Sequence, residues 1–288
     1  MEVNSFKPIF VIGPGNCGYE LFVSLLDDHQ EIVVTPFTIK YYNMWKILKL
    51  DQETNLEEIK RILLEQTKLM RLKEGSYEIQ NPFYNNIPNT KDFSKFKTDL
   101  FEKNFLKFFE TNKINRKNIL IATYMSYAVA IGKDLSKIKG FFIDAMYTDN
   151  IKEILSDFRD AKFLYLMRDP RDNFLSLNQY FFNRKHSMTP LRDVNKNLYL
   201  HIFEDYLSKN YNMLKKLRSN KSIDLKIIKF EDIQLIKEQV IREICNKYNF
   251  KFEKILLDTT VFGNKSINLS SFSSEIVTGV SKERIQRY

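Results

Sequence analysis

Three glycines crowd one short turn, Gly13-Pro-Gly-Asn-Cys-Gly18, between an apolar run (Pro8 to Ile12) and an apolar-periodic segment that ends at Leu26. The chemistry such a turn offers is anion binding. A strand that breaks into glycines and re-enters as a helix can present backbone N–H groups at a helix N-terminus, where the helix dipole adds to their pull on phosphate. Spacing alone leaves the ligand open. Gly13, Gly15 and Gly18 spell the dinucleotide pattern G-x-G-x-x-G. Gly13 and Gly18 also have the Walker A spacing, but Tyr19 and Glu20 stand where Lys and Ser/Thr are required. The dinucleotide reading, a hydride-transferring oxidoreductase, further needs an acidic residue closing the second strand, and Thr35 and Pro36 are there instead.

The elements that must position this turn follow an α/β rhythm. Glu31 to Thr35 reads as a second strand closed by Pro36, so strand, helix and strand make a βαβ unit with a parallel sheet. Helical spacing then runs through 39–50, 56–72, 91–111 and 116–131, with an Asn/Pro-rich loop at 81–90. This stretch is dense in aromatics, among them Tyr41, Tyr42, Trp45, Phe101, Phe105 and Phe108; rings at helical spacing are expected to be core. Strands return at 140–145, 161–167 and 224–230, with helices at 150–158, from Pro170 onward, at 195–218 and at 232–248. Residues 258–288, rich in Ser, Thr and Asn, carry no clear periodicity.

The totals exclude more than they select. The chain of 288 residues is 43% hydrophobic and 28% charged, which suits one large folded domain rather than a disordered one. A formal charge of +9 fits an anionic nucleotide, an acidic glycan, nucleic acid or a membrane surface. The lysines are scattered along the helices rather than gathered in a stripe, so solvated faces are the expected reading and nucleic acid is not an expected partner. Two distant cysteines, Cys17 and Cys245, give neither a disulfide framework nor metal-ligand spacing. No apolar run reaches the roughly 18 residues of a membrane span, and no signal pattern precedes the first strand. A soluble, cytoplasmic protein without integral membrane association is expected.

Four segments, in order, carry a family resemblance. They are Phe10 to Val34, Ala161-Lys-Phe-Leu-Tyr-Leu-Met-Arg-Asp-Pro-Arg-Asp172 with Ser176, Ile227-Ile-Lys-Phe-Glu-Asp-Ile233, and Gly279-Val-Ser-Lys-Glu-Arg-Ile-Gln-Arg-Tyr288. Together they resemble the sulfotransferases that use 3′-phosphoadenosine-5′-phosphosulfate as co-substrate. The resemblance lapses over 38–131. It implies a central parallel sheet flanked by helices, of P-loop NTPase-like architecture, in a single domain (1–288); the helical spacing itself makes residues 38–131, after the second strand, a mainly helical insertion or lid. It also implies sulfuryl transfer to a hydroxyl or amine of a glycan or small-molecule acceptor, without a metal. The phosphosulfate would lie on Gly13, Pro14, Gly15, Asn16, Cys17, Gly18 and Tyr19. The 3′-phosphate would lie on Arg168 and Ser176, with Phe230 stacked on adenine and Arg287 completing the nucleotide site. The competing reading of Arg168 is a helix-start salt bridge with Asp169 or Asp172.

The turn departs from the family pattern of proline–basic–serine–glycine–threonine–threonine. Asn16 replaces the basic residue and Glu20 a hydroxyl, and a carboxylate facing the dianion repels it by on the order of a few kcal/mol at short range. Glu20 is therefore read as turned outward, as bonded to Tyr19 or an arginine, or as a base. Asp144 occupies the region where some relatives carry a catalytic histidine, and competes with a structural strand-end aspartate. Lys40 is the candidate for the missing positive charge, against a solvated lysine. His29 and His186 are weaker candidate bases. Cys17 is expected to be a buried small residue, with an activated thiol as the alternative. A degenerate sulfotransferase fold that only binds is the second functional reading, and its motive is the same pair, Asn16 and Glu20.

Overall fold

The computed structural model describes residues 5–47, 49, 55–65, 67, 69–73, 93–145, 150–176, 196–265, 267–269 and 276–278. The expected loop at 81–90, His186 and the closing segment with Arg287 lie outside these residues.

Five strands make the central sheet: β1 (Pro8–Ile12), β2 (Ile32–Val33), β3 (Gly140–Asp144), β4 (Lys162–Met167) and β5 (Asp224–Lys229). Their order is β2-β3-β1-β4-β5, and every pairing is parallel. In chain order the helices open with α1 (Tyr19–Leu26), α2 (Tyr41–Ile47), α3 (Leu56–Glu65), α4 (Met70–Lys73), α5 (Thr98–Phe108) and α6 (Arg116–Ala130). After β3 come α7 (Ile151–Asp157), α8 (described over 170–176) and α9 (Lys196–Ser219), and after β5 come α10 (Phe230–Leu235) and α11 (Lys237–Tyr248).

Successive side chains of a strand point to opposite faces, so a sheet buried on both sides needs apolar residues at every position. β1 meets that need. Ile9 and Val11 join Phe142, Leu164, Leu166 and Ile228 beneath α1 and α11. Phe10 and Ile12 join Phe141, Ile143, Phe163 and Tyr165 beneath α2 to α7. Being central, β1 sets its C-terminal turn between the ends of β3 and β4, with Val11 opposite Asp144 and Ile12 opposite Tyr165. That is the crevice where open α/β sheets bind ligands.

The aromatics of the helical stretch are core. Phe101, Phe105 and Phe108 are buried, and the first two rings stack at 5.9 Å. Arg116 grips Asp157 through Nε and Nη2 at 2.8 and 3.0 Å, and Tyr41 donates to the Arg116 carbonyl at 2.6 Å, so the layer is tied to α7.

Several elements differ from their periodicity. β2 shortens because the Thr35 hydroxyl donates to the Phe37 carbonyl at 2.8 Å and turns the chain. The run 56–72 divides into α3 and α4 where the Thr67 hydroxyl bonds back to the Leu63 carbonyl. The segment before α5 is a turn, closed by Phe96 N–H on Phe93 O at 2.9 Å, which sends both rings into the core. The helix expected at 232–248 breaks at Ile236, whose φ of −132° leaves the helical region. In the tail, Thr260–Val261 pairs with Asn264–Lys265 and Ile267–Leu269 with Ile276–Thr278, both antiparallel.

Candidate functional site

The glycine turn takes its shape from close approach. Gly13 has φ 152°, and a Cβ there would lie 2.4 Å from the Leu166 carbonyl oxygen of β4. Gly18 caps α1 in the left-handed region with φ 93°, and a Cβ there would strike the Phe230 ring at 2.3 Å. Both positions demand glycine. Asn16 between them is also left-handed, with φ 57°, which asparagine tolerates better than most residues.

Three side chains fix the turn from outside. Arg168, just past β4, donates from Nη1 to the Asn16 carbonyl at 2.9 Å. Asn173, on the first turn of α8, donates from Nδ2 to the Gly15 carbonyl at 2.8 Å. Asn16 reaches in the other direction, its Nδ2 lying 3.2 Å from the Ser176 carbonyl and 3.5 Å from its hydroxyl. Phe230, at the corner from β5 to α10, packs its ring on Gly18 and carries the Arg168 guanidinium 4.5 Å from the ring centroid. The ring expected to stack on adenine is thus 6% exposed, with a cation on one face. Glu231 accepts the Asp169 N–H at 2.8 Å and ties the same corner to the start of α8.

Arg168 is buried, and desolvation pulls its pKa down, opposed by the charges of Asp172 and Glu231. Its Nε is buried without a hydrogen-bond partner, a donor at hand for an anion. The helix-start ion pair belongs instead to Arg171, which bonds Asp169 at 2.8 Å, while Asp169 also caps α8 by accepting the Arg171 N–H. Asp172, the other partner offered for that pair, is 1% exposed.

Beyond the turn, Tyr19 points into the protein and Glu20 to solvent. The hydroxyls of Tyr19 and Tyr124 both lie beside Thr35, and burial first, then the charge of Asp144, raises both phenol pKa values. Asp144, 1% exposed at the end of β3, accepts the Lys40 N–H on Oδ2 at 3.0 Å. The backbone of Lys40, rather than its ammonium, makes that contact. Cys17 is 3% exposed, and burial pushes its thiol up to about 12 against the pull of its own and Tyr19's N–H groups. This is an inert packing residue, not an activated thiol. His29 sits before β2, at the opposite edge of the sheet from the turn. Its Nε2 lies 2.7 Å from the Lys251 carbonyl, and its Nδ1 accepts the Glu31 N–H at 3.2 Å, so its role is structural.

The structure therefore gathers Gly13 to Gly18, Arg168, Ser176 and Phe230 into one braced cluster, with Tyr19, Lys40 and Asp144 beside it. Glu20 stands outside. The roles of Asn173 and Glu231 were missed from sequence; the three-residue spacing of Asn173 and Ser176, one face of a helix, was the available signal.

A family model described as "Sulfotransferase family" matches residues 8–254. The chain belongs to the sulfotransferase family. Among curated proteins, none matches the sequence. Of solved structures, the sulfotransferase domain of the Synechococcus PCC 7002 olefin synthase aligns with TM-score 0.57 at 12% identity, covering 98% of this chain and 87% of that one. The sulfotransferase STF9 of Mycobacterium avium aligns with TM-score 0.49 at 12% identity, over 88% of this chain and 66% of that one. The matched range includes both the glycine turn and Arg168, and among the described residues no group of His, Cys, Asp or Glu could hold a metal ion. No described helix is long and apolar enough to cross a membrane.

Proposed function

We propose that the chain transfers a sulfuryl group from 3′-phosphoadenosine-5′-phosphosulfate to a hydroxyl or amine of a glycan or small-molecule acceptor. The observation that carries this reading is the glycine turn braced by Arg168 and Asn173 beside the start of α8, which supports two adjoining anion subsites. The turn Gly13 to Tyr19 offers backbone N–H groups to the phosphosulfate. Arg168 and Ser176 offer a buried guanidinium and a hydroxyl to the 3′-phosphate, and the partnerless Arg168 Nε supports that assignment. Arg287 is assigned to the same site from the family pattern.

In this scheme the acceptor oxygen or nitrogen attacks sulfur in line, and the bond from sulfur to the 5′-phosphate oxygen breaks. The bisphosphate nucleotide leaves, and the acceptor's proton passes to Asp144. Positive charge on the leaving oxygens comes from Lys40, since Asn16 is neutral and turned toward Ser176. Glu20, exposed, is kept from the phosphosulfate and has no part in the chemistry. The helical layer around α2 to α6 shapes the acceptor side as a lid. The two buried free thiols suit a cytoplasmic location.

Asn16 and Glu20 also favour a second reading, a fold that binds the nucleotide without turning it over. Radiolabelled donor mixed with pooled sugars, phenols and amines separates the two. Label transferred by the wild type and lost in Asp144→Asn supports the enzyme. Nucleotide binding with no transfer to any acceptor selects the second reading.

A further inference from the structure

Two of the turn's carbonyls are held by different side chains, and one of these, Asn173, lies outside the residues that carry the family resemblance. Arg168 takes the Asn16 carbonyl, whereas Asn173 takes the Gly15 carbonyl at 2.8 Å. Asn173 is 0% exposed, and its Oδ1 is buried without a partner. The orientation of its amide is nonetheless settled. A carbonyl can only accept, so the nitrogen must face Gly15.

Burying an amide with half its hydrogen-bonding capacity unused is costly, and an apolar residue of the same shape avoids that cost. Retaining asparagine here calls for work done by its other half. Anion binding by a main-chain turn requires carbonyls to point away while N–H groups point in. Fixing the carbonyl of Gly15 fixes the same peptide plane's N–H, which belongs to Asn16. Asn173 therefore sets the direction of one of the turn's donors.

We infer that Asn173 is the positioning residue for the 5′-anion subsite, acting through the Gly15–Asn16 peptide without touching the nucleotide. Its counterpart is the side chain of Asn16, which crosses in the opposite direction to Ser176 and serves the 3′-phosphate subsite. This inference rests on the nucleotide reading above, and its test is built to fail separately from it.

Dissociation constants would be measured for 3′-phosphoadenosine-5′-phosphate and for adenosine 3′-monophosphate, whose ratio isolates what the 5′-phosphate contributes. In Asn173→Leu and Asn173→Ala the dissociation constant of the bisphosphate, and with it that ratio, rises about tenfold, the size of one lost hydrogen bond to a charged site, while adenosine 3′-monophosphate binds as in the wild type. Asn16→Gly, which keeps the left-handed backbone, leaves the ratio intact and weakens both ligands together. Thermal melting checks that each protein is folded. Equal weakening of both ligands in the Asn173 variants overturns the inference by making Asn173 a merely structural residue, as does an unchanged ratio. Failure of both Asn173 variants to fold has the same meaning. Wild-type protein that binds neither nucleotide removes the functional reading, and the inference with it.

Discussion

The two sides of the sheet's C-terminal edge are built from different materials. Around the glycine turn, order comes from single polar bonds to main-chain atoms: Arg168 on the Asn16 carbonyl, Asn173 on that of Gly15, Glu231 on the Asp169 N–H. In the helical layer of α2 to α6, order comes from apolar rings such as Phe101, Phe105 and Phe108, all buried. The first region therefore depends on atom types at fixed places, and one wrong atom disables it. The second depends on volume, and many sequences of similar volume would serve. The family model nonetheless spans both regions, residues 8–254.

Substitutions can break this contrast. The largest expected effect is reciprocal. Arg168→Ala should lower affinity for 3′-phosphoadenosine-5′-phosphate at least about a hundredfold with little change in melting temperature. Phe101→Ala should cost about 3–5 kcal/mol of stability and leave the affinity of the folded protein unchanged. Calorimetric titration and denaturant unfolding of both variants read the two halves. An Arg168→Ala protein that binds normally, or a Phe101→Ala protein that is stable but does not bind, breaks the division.

Next in size is Gly18→Ala, which forces a Cβ into the Phe230 ring at a backbone angle unfavourable to alanine. It should destabilise by about 1–3 kcal/mol and abolish nucleotide binding, because the same residue serves both packing and the turn. Unfolding curves with a parallel titration would show both effects or neither.

Glu31, at the far edge of the sheet, sharpens the comparison through pH. Burial raises its carboxyl pKa, but the Lys139 ammonium and the Lys251 N–H outweigh burial and hold it below the ordinary 4.5. A lowered carboxylate contributes stability above 4.5 and loses it as pH falls through the lowered value, because the unfolded state takes up its proton first. Melting temperature should therefore drop on acidification below that range, with a shallower slope in Glu31→Gln. Identical slopes would remove Glu31 from the account. The smallest effect belongs to Glu20→Gln. Glu20 is exposed and screened, so nucleotide affinity should rise by no more than about threefold in physiological salt. A much larger gain would mean that the carboxylate faces the anion after all.

Legibility in the sequence followed the same divide. Gly13 and Gly18 could be read because their backbone conformations and close contacts exclude other residues, and Arg168 with Ser176 only because the segment from Ala161 to Asp172, with Ser176, resembles a motif of the family. The layered α/β architecture followed from the alternation of short apolar runs with helical periods, whereas the strand order β2-β3-β1-β4-β5 came only with the structure. Asn173 and Glu231 were not readable, since each bonds a main-chain atom and leaves no complementary side chain to recognise. The breaks at Thr67 and Ile236 escaped periodicity because one local hydrogen bond or one dihedral overrides a pattern that continues through them. Phe230 was read as an adenine platform from its position, whereas its place against Gly18 and Arg168 depends on the β5–α10 corner, which only the folded chain brings there.

The central claim is that the glycine turn and Arg168 form one site for a 3′-phosphorylated adenine nucleotide. Isothermal titration of 3′-phosphoadenosine-5′-phosphate into the wild type and Arg168→Ala, with NADH as a parallel ligand, tests it most directly. The account expects saturable heat in the wild type, none in the folded variant, and none with NADH. Equal heat in both proteins, or heat with NADH alone, would contradict it.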